Sequence, residues 1–544
     1  MIFRKILILQ LLALHFISCL AQQLFSFPID TVDITGNFGE IRNQHFHQGI
    51  DFSTKGKENF PVKSIDDGYV YRIKISSKGY GKALYIHHPS GLLSVYAHLN
   101  SFSDKIQKFL NQHLIQNHQN ETDIILKKDS IPIKKNEVIA YSGNTGTSSG
   151  PHLHFEIRNE LTEIPINPLF YFAFKDTTKP SVQKIIFFNL SDTISPVPIV
   201  HQQTKGKKQS DTIIVPPITG IAFSGNDKMY PNGNPNNIYK VQIFLDNQKI
   251  YQHRLHYITF DNTIYVEYYA EKIRQQYFQK CFAPHLYPKY FYDTLINKGR
   301  IILSDTNIHT LRLSFCDEFN NCKDTILYIQ TKSSPVYKKI NTKQLLLCNT
   351  STHIKNQYFE LYIPEKSLFH DIKANIFYNP DKKQIEFSHK PLSLKFSATL
   401  KIFHHLPASD IQKTVLTGSR YYLPDTSDQH QIIFSVKELA NFRLYTDKEP
   451  PHIKPLSYNL KKKAIIIPYS QNKIYFKLSD NTSLKDFKVY FNSQFCIAYY
   501  YASKKTLEVQ LPQEYIAADQ NQIQIIASDI VDNTITRTYS LIFK

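Results

Sequence analysis

The sequence predicts an all-β chain divided into several domains, and three observations carry that expectation. The 544 residues exceed what one hydrophobic core organises, since chains beyond ~250–300 residues split into domains. Residues 30 to 175 run as short apolar–polar alternations between glycine turns, the period-2 signal of half-buried strands. Beyond residue 175 two stretches share one texture. Each opens with Asp-x-x-x-Pro, from Asp176 and from Asp447, and closes with strand, Asp-containing turn, strand. This weak internal repeat predicts immunoglobulin-like β-sandwich modules.

Taken in order, "MIFRKILILQLLALHFISCLAQQ" sets Arg4 and Lys5 before an apolar run and then small residues. It reads as a secretory signal peptide over 1–21, cleaved after Ala21; the run is too short and wrongly flanked for a spanning helix. A lipoprotein anchor through Cys19 is the alternative, against which stands Phe16 three residues earlier. A domain is expected over 22–175. Within it "VKSIDDGYVYRIKIS" reads as a hairpin about Asp67–Gly68, and "KALYIHHPSGLLSVYAHL" as a second, turning at Pro89–Ser90–Gly91. In "SFSDKIQKFLNQHLIQNHQN" Ile106, Phe109, Leu110 and Leu114 have helical spacing and no glycine intervenes, so a helical insertion is expected over about 101–120. Residues 176–334 and 447–544 are the two sandwich-like modules, with a further β-rich domain over 335–446. The turn-rich segment 200–240 reads as a long loop or insertion.

The formal charge of +18 raises the question of an anionic partner: nucleic acid, an envelope polymer or a membrane surface. The lysines are scattered, the longest run being Lys461–Lys463, and no nucleic-acid motif accompanies them, so nucleic acid is set aside. Abundant Asn, Lys, Ile and Tyr with no Trp also make the basicity compositional. No later segment is apolar enough to span a bilayer. Export implies an oxidising compartment. Without Cys19 there remain Cys281, Cys316, Cys322, Cys348 and Cys496, lacking Cys-x-x-Cys spacing, which argues against a zinc ribbon or a redox site. Cys316 and Cys322 bracket the turn "DEFNN" and are either a cross-strand disulfide or two reduced, buried thiols.

The chemistry centres on "GPHLHFEIR", residues 150–158. A His-x-His pair is weak by itself in a chain with 22 histidines. As a strand, however, it puts His152, His154 and Glu156 on one face and Leu153, Phe155 and Ile157 on the other. The preceding "SGNTGTSSGP" lets backbone and substrate come close. Two imidazoles do not suffice for a catalytic zinc, which takes about three protein ligands and an open position. Upstream, "HFHQGIDF" offers His47 and Asp51, which a bend through Gln48–Gly49 can bring together; His45 beside them reads as solvated or structural. His98 ends "VYAHL", and taken singly such a histidine belongs to the core or the surface.

In order, "GNFGEIRNQHFHQGIDF", "PVKSIDDGYV", "GYGKALYIHH", "SVYAHL" and "GNTGTSSGPHLHFEI" resemble the signature of peptidase family M23. These are the lysostaphin and LytM-like zinc metallopeptidases that cut peptide bridges in bacterial cell walls. The resemblance covers about residues 30–170. It implies a small two-sheet β-domain with a long open groove, one zinc per chain on His47, Asp51 and His154, and catalytic roles for His98 and His152. The long β-rich tail is similar to that of Bacteroidetes-type members, which implies a periplasmic or envelope setting and direct cross-links as target. Two features depart from the family pattern. The insertion over 101–130 would rim the groove, and Ile41 and Arg42 stand where some members carry a tyrosine, leaving Arg42 open between an oxyanion contact and a structural ion pair.

No His-Glu-x-x-His occurs, so the base is not a helical glutamate. His152 is expected as general base and His98 as the group that bonds the tetrahedral intermediate and steadies the water. The expected function is a secreted zinc metalloendopeptidase hydrolysing peptidoglycan cross-links. The alternatives are an inactive relative that binds the wall or regulates another hydrolase, and a structural or adhesive protein. Expected partners are peptidoglycan peptides and, through the C-terminal modules, envelope proteins. No ligand constellation is expected after residue 175, where His253 and His256 of "HRLH" read as structural.

Overall fold

Strand alternation sets the architecture of this computed structural model, which describes residues 25–191, 197–199, 212–332, 345–457, 464–517 and 520–544. The expected signal peptide and Lys461–Lys463 lie outside the described residues. The N-terminal domain runs β1 (Ile34–Gly36), β2 (Ile41–Arg42), β3 (His45–Phe46), β4 (Ile50–Ser53), β5 (Pro61–Lys63), β6 (Gly68–Ile75), β7 (Lys82–His87), β8 (Leu92–Ala97) and β9 (Leu99–Phe102). It continues with α1 (Asp104–Asn117), β10 (Thr122–Ile125), β11 (Pro132–Ile133), β12 (Val138–Ser142), β13 (His152–Asn159) and β14 (Pro165–Ile166).

The main sheet has the order β1-β4-β13-β8-β7-β6-β10, with β11 added on β6 and β14 on β13; a smaller sheet, β5-β12-β9, faces it, and β2–β3 form a ribbon. Phe52, Tyr96, Phe155 and Ile157 of the first sheet share a buried core with Val62, Leu99 and Ile139 of the second. Burying each such side chain stabilises by about 1.5–3 kcal/mol, and the alternation that buries them turns the intervening residues of β13 to the opposite face. The hairpin β7–β8 forms as expected, pairing Leu84 with Tyr96. The inserted helix forms too: α1 buries Ile106, Leu110 and Leu114.

Two expectations are corrected. β5 and β6 are not a hairpin, for β5 pairs with β12 in one sheet and β6 with β7 in the other. Gly68 is required by close approach, not by a hairpin turn: a Cβ there would lie 2.1 Å from the His87 carbonyl oxygen. The long loop over 200–240 is interrupted by a strand, Ile218–Asn226, in a six-stranded sheet. Its glycines are turn signals in sequence, but Gly220 lies under Phe282, where a Cβ would meet the ring at 2.6 Å.

Beyond residue 175 the strands form paired sheets. Two six-stranded sheets enclose Phe187, Phe223, Val241 and Phe315. Near the C-terminus a four- and a five-stranded sheet enclose Phe476, Val489, Val509 and Ile525. The closing hairpins are His309–Cys316 with Cys322–Gln330 and Asn521–Asp529 with Thr534–Phe543. Cys316 and Cys322 form a disulfide across the first, while Cys281, Cys348 and Cys496 are buried thiols.

These modules pack on the N-terminal domain at two places. Phe46 of β3 packs with tilted ring contacts against Tyr269 and Phe291, its backbone N–H donates to Thr263 Oγ1 at 3.1 Å, and Gln48 Nε2 donates to the Ile258 carbonyl at 3.2 Å. After α1, Asn120 donates to the Phe487 carbonyl at 3.1 Å and accepts from Ala498 N–H at 2.8 Å. Nearby, the Lys82 ammonium sits 3.6 Å from the centre of the Tyr499 ring.

Candidate metal centre

Register brings the site together. Within the main sheet His154 of β13 stands opposite Asp51 of β4 on one side and Ala97 of β8 on the other. The chain reaches β4 through Gly49, where a Cβ would lie 2.5 Å from the Phe155 carbonyl oxygen and 2.9 Å from His154 Cε1. Only glycine lets the loop lie this close to β13, and that closeness carries His47 to the other two. His47 Nε2 is 3.0 Å from His154 Nδ1 and 3.1 Å from Asp51 Oδ1, and His154 Nδ1 is 3.0 Å from the same oxygen. A tetrahedral ion with bonds of about 2.0 Å separates its ligand atoms by about 3.3 Å. All three side chains are buried.

The groups behind this trio fix which nitrogen faces it. His47 Nδ1–H donates to the Asn37 carbonyl at 2.8 Å, turning the Nε2 lone pair inward. His154 Nε2–H donates to Glu156 Oε1 at 2.8 Å, turning Nδ1 inward. Glu156 is fully buried and is held by Arg158 Nε at 2.7 Å and by the Tyr80 hydroxyl at 2.5 Å. Against its burial, the Arg158 charge and the His154 bond hold Glu156 down at about 2. Against its own burial, hydrogen bonds to Asp51 and Glu156 push His154 up to about 9. Burial pulls His47 below the ordinary histidine value. Arg42 Nη2 bonds Asp51 Oδ2 at 2.5 Å and Glu40 at 3.0 Å, so the open question resolves towards an ion pair behind Asp51. Gly36 makes room for it, since a Cβ there would come within 2.8 Å of the guanidinium.

His98 and His152 flank the trio with ring centres 4.9 Å apart, and His98 lies 5.8 Å from His154. His98 joins β8 to β9 at φ 58°, a left-handed backbone uncommon outside glycine and found at functional sites. Its Nδ1–H donates to the Thr145 carbonyl at 2.8 Å. Burial and the neighbouring histidines hold it down at about 3, so the ring is neutral with its Nε2 lone pair free. His152 donates Nδ1–H to the Gly150 carbonyl at 2.8 Å and sets Nε2 3.5 Å from Asp51 Oδ1. His45 is exposed, bonded to its own turn through Asn43, and takes no part.

Residues 45–115 and 117–168 match the model of the Peptidase family M23. The N-terminal domain belongs to this family. A DD-carboxypeptidase/endopeptidase Mpg of Neisseria meningitidis is 34% identical over 24% of this chain and 23% of its own length. The Murein hydrolase activator NlpD of Salmonella typhimurium is 30% identical over 25% of this chain and 28% of its own. A zinc containing peptidase from Vibrio cholerae, solved as a crystal structure, is 28% identical over 27% of this chain and 39% of that one, with a TM-score of 0.20. The chain thus spans about a quarter of the length of the curated relatives it matches.

The M23 domain offers two nitrogens and one carboxylate oxygen at near-tetrahedral spacing with both tautomers set by bonded partners, a donor set that fits zinc. Arg158, Tyr80, Asn37 and Thr145 escaped the sequence reading. Strand alternation puts Arg158 on the face of Glu156, so its place was available from spacing. The carbonyls of Asn37 and Thr145 leave no trace in sequence, because a backbone oxygen has no residue type. In the tail His253 is buried between the hydroxyls of Tyr251 and Tyr269, a structural place. The expectation of no ligand constellation there fails, for Asp176, Asp227 and Asp317 converge, as do Asp447, Asp480 and Asp529. Their wide separation in sequence concealed them.

Proposed function

We propose that the M23 domain is an active zinc metalloendopeptidase that hydrolyses peptide cross-links of peptidoglycan outside the cytoplasmic membrane, with one zinc per chain on His47, Asp51 and His154. The observation that carries this reading is the convergence of five polar side chains on one point, with the other nitrogen of each imidazole bonded away from it. A zinc ion there supplies Lewis acidity to the scissile carbonyl and to the attacking water. His152 Nε2, adjacent to the trio, takes the proton of that water and returns it to the leaving amine. His98 also presents a lone pair but is a weak base, being held near 3. It therefore accepts the water's second hydrogen and aims the oxygen; bonding an oxyanion would require it first to carry a proton. The wall beside His98 is backbone, since Gly146 lies against Gly79 and Gly81 with no space for a Cβ. An extended peptide can lie along such a wall.

The relative named an endopeptidase supports this reading, and the relative named an activator supports the second: a domain that stimulates another hydrolase without cutting. Zinc content of the full chain, together with muropeptide release from purified sacculi, separates them. Release of new muropeptides by the zinc-loaded chain, abolished by His152→Ala, supports the enzyme. A zinc-loaded chain that releases nothing alone, yet raises the activity of an added amidase, supports the activator.

A further inference from the structure

The two acidic clusters of the tail are built on one plan. Asp176 and Asp447 open the Asp-x-x-x-Pro stretches. Asp227 and Asp480 each directly follow a strand, Ile218–Asn226 and Lys473–Ser479. Asp317 and Asp529 begin the closing turns, where Asn321 donates to Asp176 O and Asp317 Oδ2, and Asn533 to Asp447 O and Asp529 Oδ2. Each trio brings one carboxylate oxygen per residue within 4.8 Å of the others.

They differ in what answers the charge. In the last module Asn481 Nδ2 donates to Asp447 Oδ1 at 2.9 Å and Thr482 Oγ1 to Asp447 Oδ2 at 2.8 Å, which leaves only Asp480 Oδ2 of that trio without a partner. The residues in the corresponding places after Asp227 are Lys228 and Met229; Asp176 Oδ1 accepts from Thr178 N–H at 2.7 Å, but its Oδ2 is left open. Asp227 is 3% exposed and Asn236 is 4% exposed, yet Asp227 Oδ1, Asn236 Oδ1 and Asp176 Oδ2 have no hydrogen-bond partner. Asp227 and Asn236 exchange both backbone bonds, at 2.9 and 2.8 Å, across an antiparallel bridge. Residues so paired project to the same face, so a neutral amide oxygen joins the three carboxylates. Leaving such buried groups unsatisfied is costly, because each has given up its hydration without a replacement bond.

We propose that Asp176, Asp227, Asp317 and Asn236 bind one hard divalent cation of calcium's size, for which the donors of the last module are the protein's own substitute. Oxygen is the only donor type present, which selects a hard ion over zinc or copper. Two oxygens on opposite sides of a calcium ion lie about 4.8 Å apart, at about 2.4 Å each, and the three carboxylate oxygens fall within that reach. Burial, then the charges of Asp317 and Asp176, push Asp227 up to about 7 in the absence of a cation.

The test is calorimetric titration of the zinc-loaded full chain with calcium chloride alone, then with magnesium chloride alone. One calcium ion per chain is expected, with a Kd of about 10⁻⁴–10⁻³ M as in extracellular modules, at least tenfold weaker magnesium binding, and a raised melting temperature. Asp227→Asn, isosteric and relieved of repulsion, should fold, keep its zinc and lose the calcium heat; Asp176→Asn should do the same. Asp480→Asn should leave calcium binding unchanged. No calcium heat, equal magnesium affinity, or binding that survives Asp227→Asn or is abolished by Asp480→Asn would overturn the proposal.

Discussion

His154 lies between two carboxylates, one facing the trio and one behind it, and its protonation follows from that position. Held at about 9 against an ordinary 6.5, the metal-free ring is cationic at neutral pH. The raised value means that this pairing stabilises the metal-free fold fully below about pH 6.5 and is lost as pH rises through about 9. An entering metal must displace that proton, so zinc affinity should rise about tenfold per pH unit up to about 9 and then level off. Chelator competition across that range checks it, and a flat profile would remove His154 from the ligand set. His154→Ala should lose the metal with the activity. His98→Ala and His152→Ala should keep stoichiometric zinc and lose about 2.7–4 kcal/mol of barrier stabilisation, roughly 10²–10³ in turnover. Zinc analysis beside peptide hydrolysis distinguishes the two classes of variant. At this scale the five side chains were legible through the ordered motifs of the M23 resemblance, since by residue type alone His98 belonged to the core or the surface. The protons that orient them were not, since Asn37, Thr145 and Gly150 act through carbonyls.

Elements deliver these side chains through close contacts as much as through pattern. β13 was readable from alternation alone. Its neighbour β4 owes its approach to Gly49, whose missing Cβ admits the Phe155 carbonyl. Gly49→Ala should therefore push the loop outward and cost most of the bound zinc while the β-sheet signal persists; a variant with full zinc would show that the loop has slack. Behind β13, Glu156 and Arg158 form a buried pair, 0% and 3% exposed. Glu156→Gln leaves the guanidinium uncompensated and should cost about 3–5 kcal/mol, seen as a lower denaturation midpoint. An unchanged midpoint would mean that Tyr80 and Glu163 suffice for Arg158. The false hairpin at Gly68 has the same origin as the success at Gly49. Sequence marks a glycine without saying whether it turns the chain or admits a neighbour.

For the whole molecule the surprise lies in how little of the tail stands apart. Phe46 and Gln48 flank His47, and both are anchored on residues 258–291. A chain cut after residue 175 loses that anchorage and bares the Phe46 ring, so it should be poorly soluble and deficient in zinc. A soluble fragment with full zinc and hydrolysis near that of the full chain would return the tail to a purely positioning role. The two sandwich-like modules were visible through their repeated openings and closings. Their docking was not, because Asn120 meeting residues 487 and 498 involves backbone atoms on the far partner.

That last contact bears on time as well as on shape. The carbonyl and N–H that satisfy Asn120 belong to Phe487 and Ala498, which leave the ribosome 367 and 378 residues after it. Lys82, at the start of β7, likewise waits for Tyr499. The M23 domain is thus completed only after residues far along the tail have been made. A nascent or interrupted chain that stops short of residue 498 therefore carries an M23 domain that lacks these contacts.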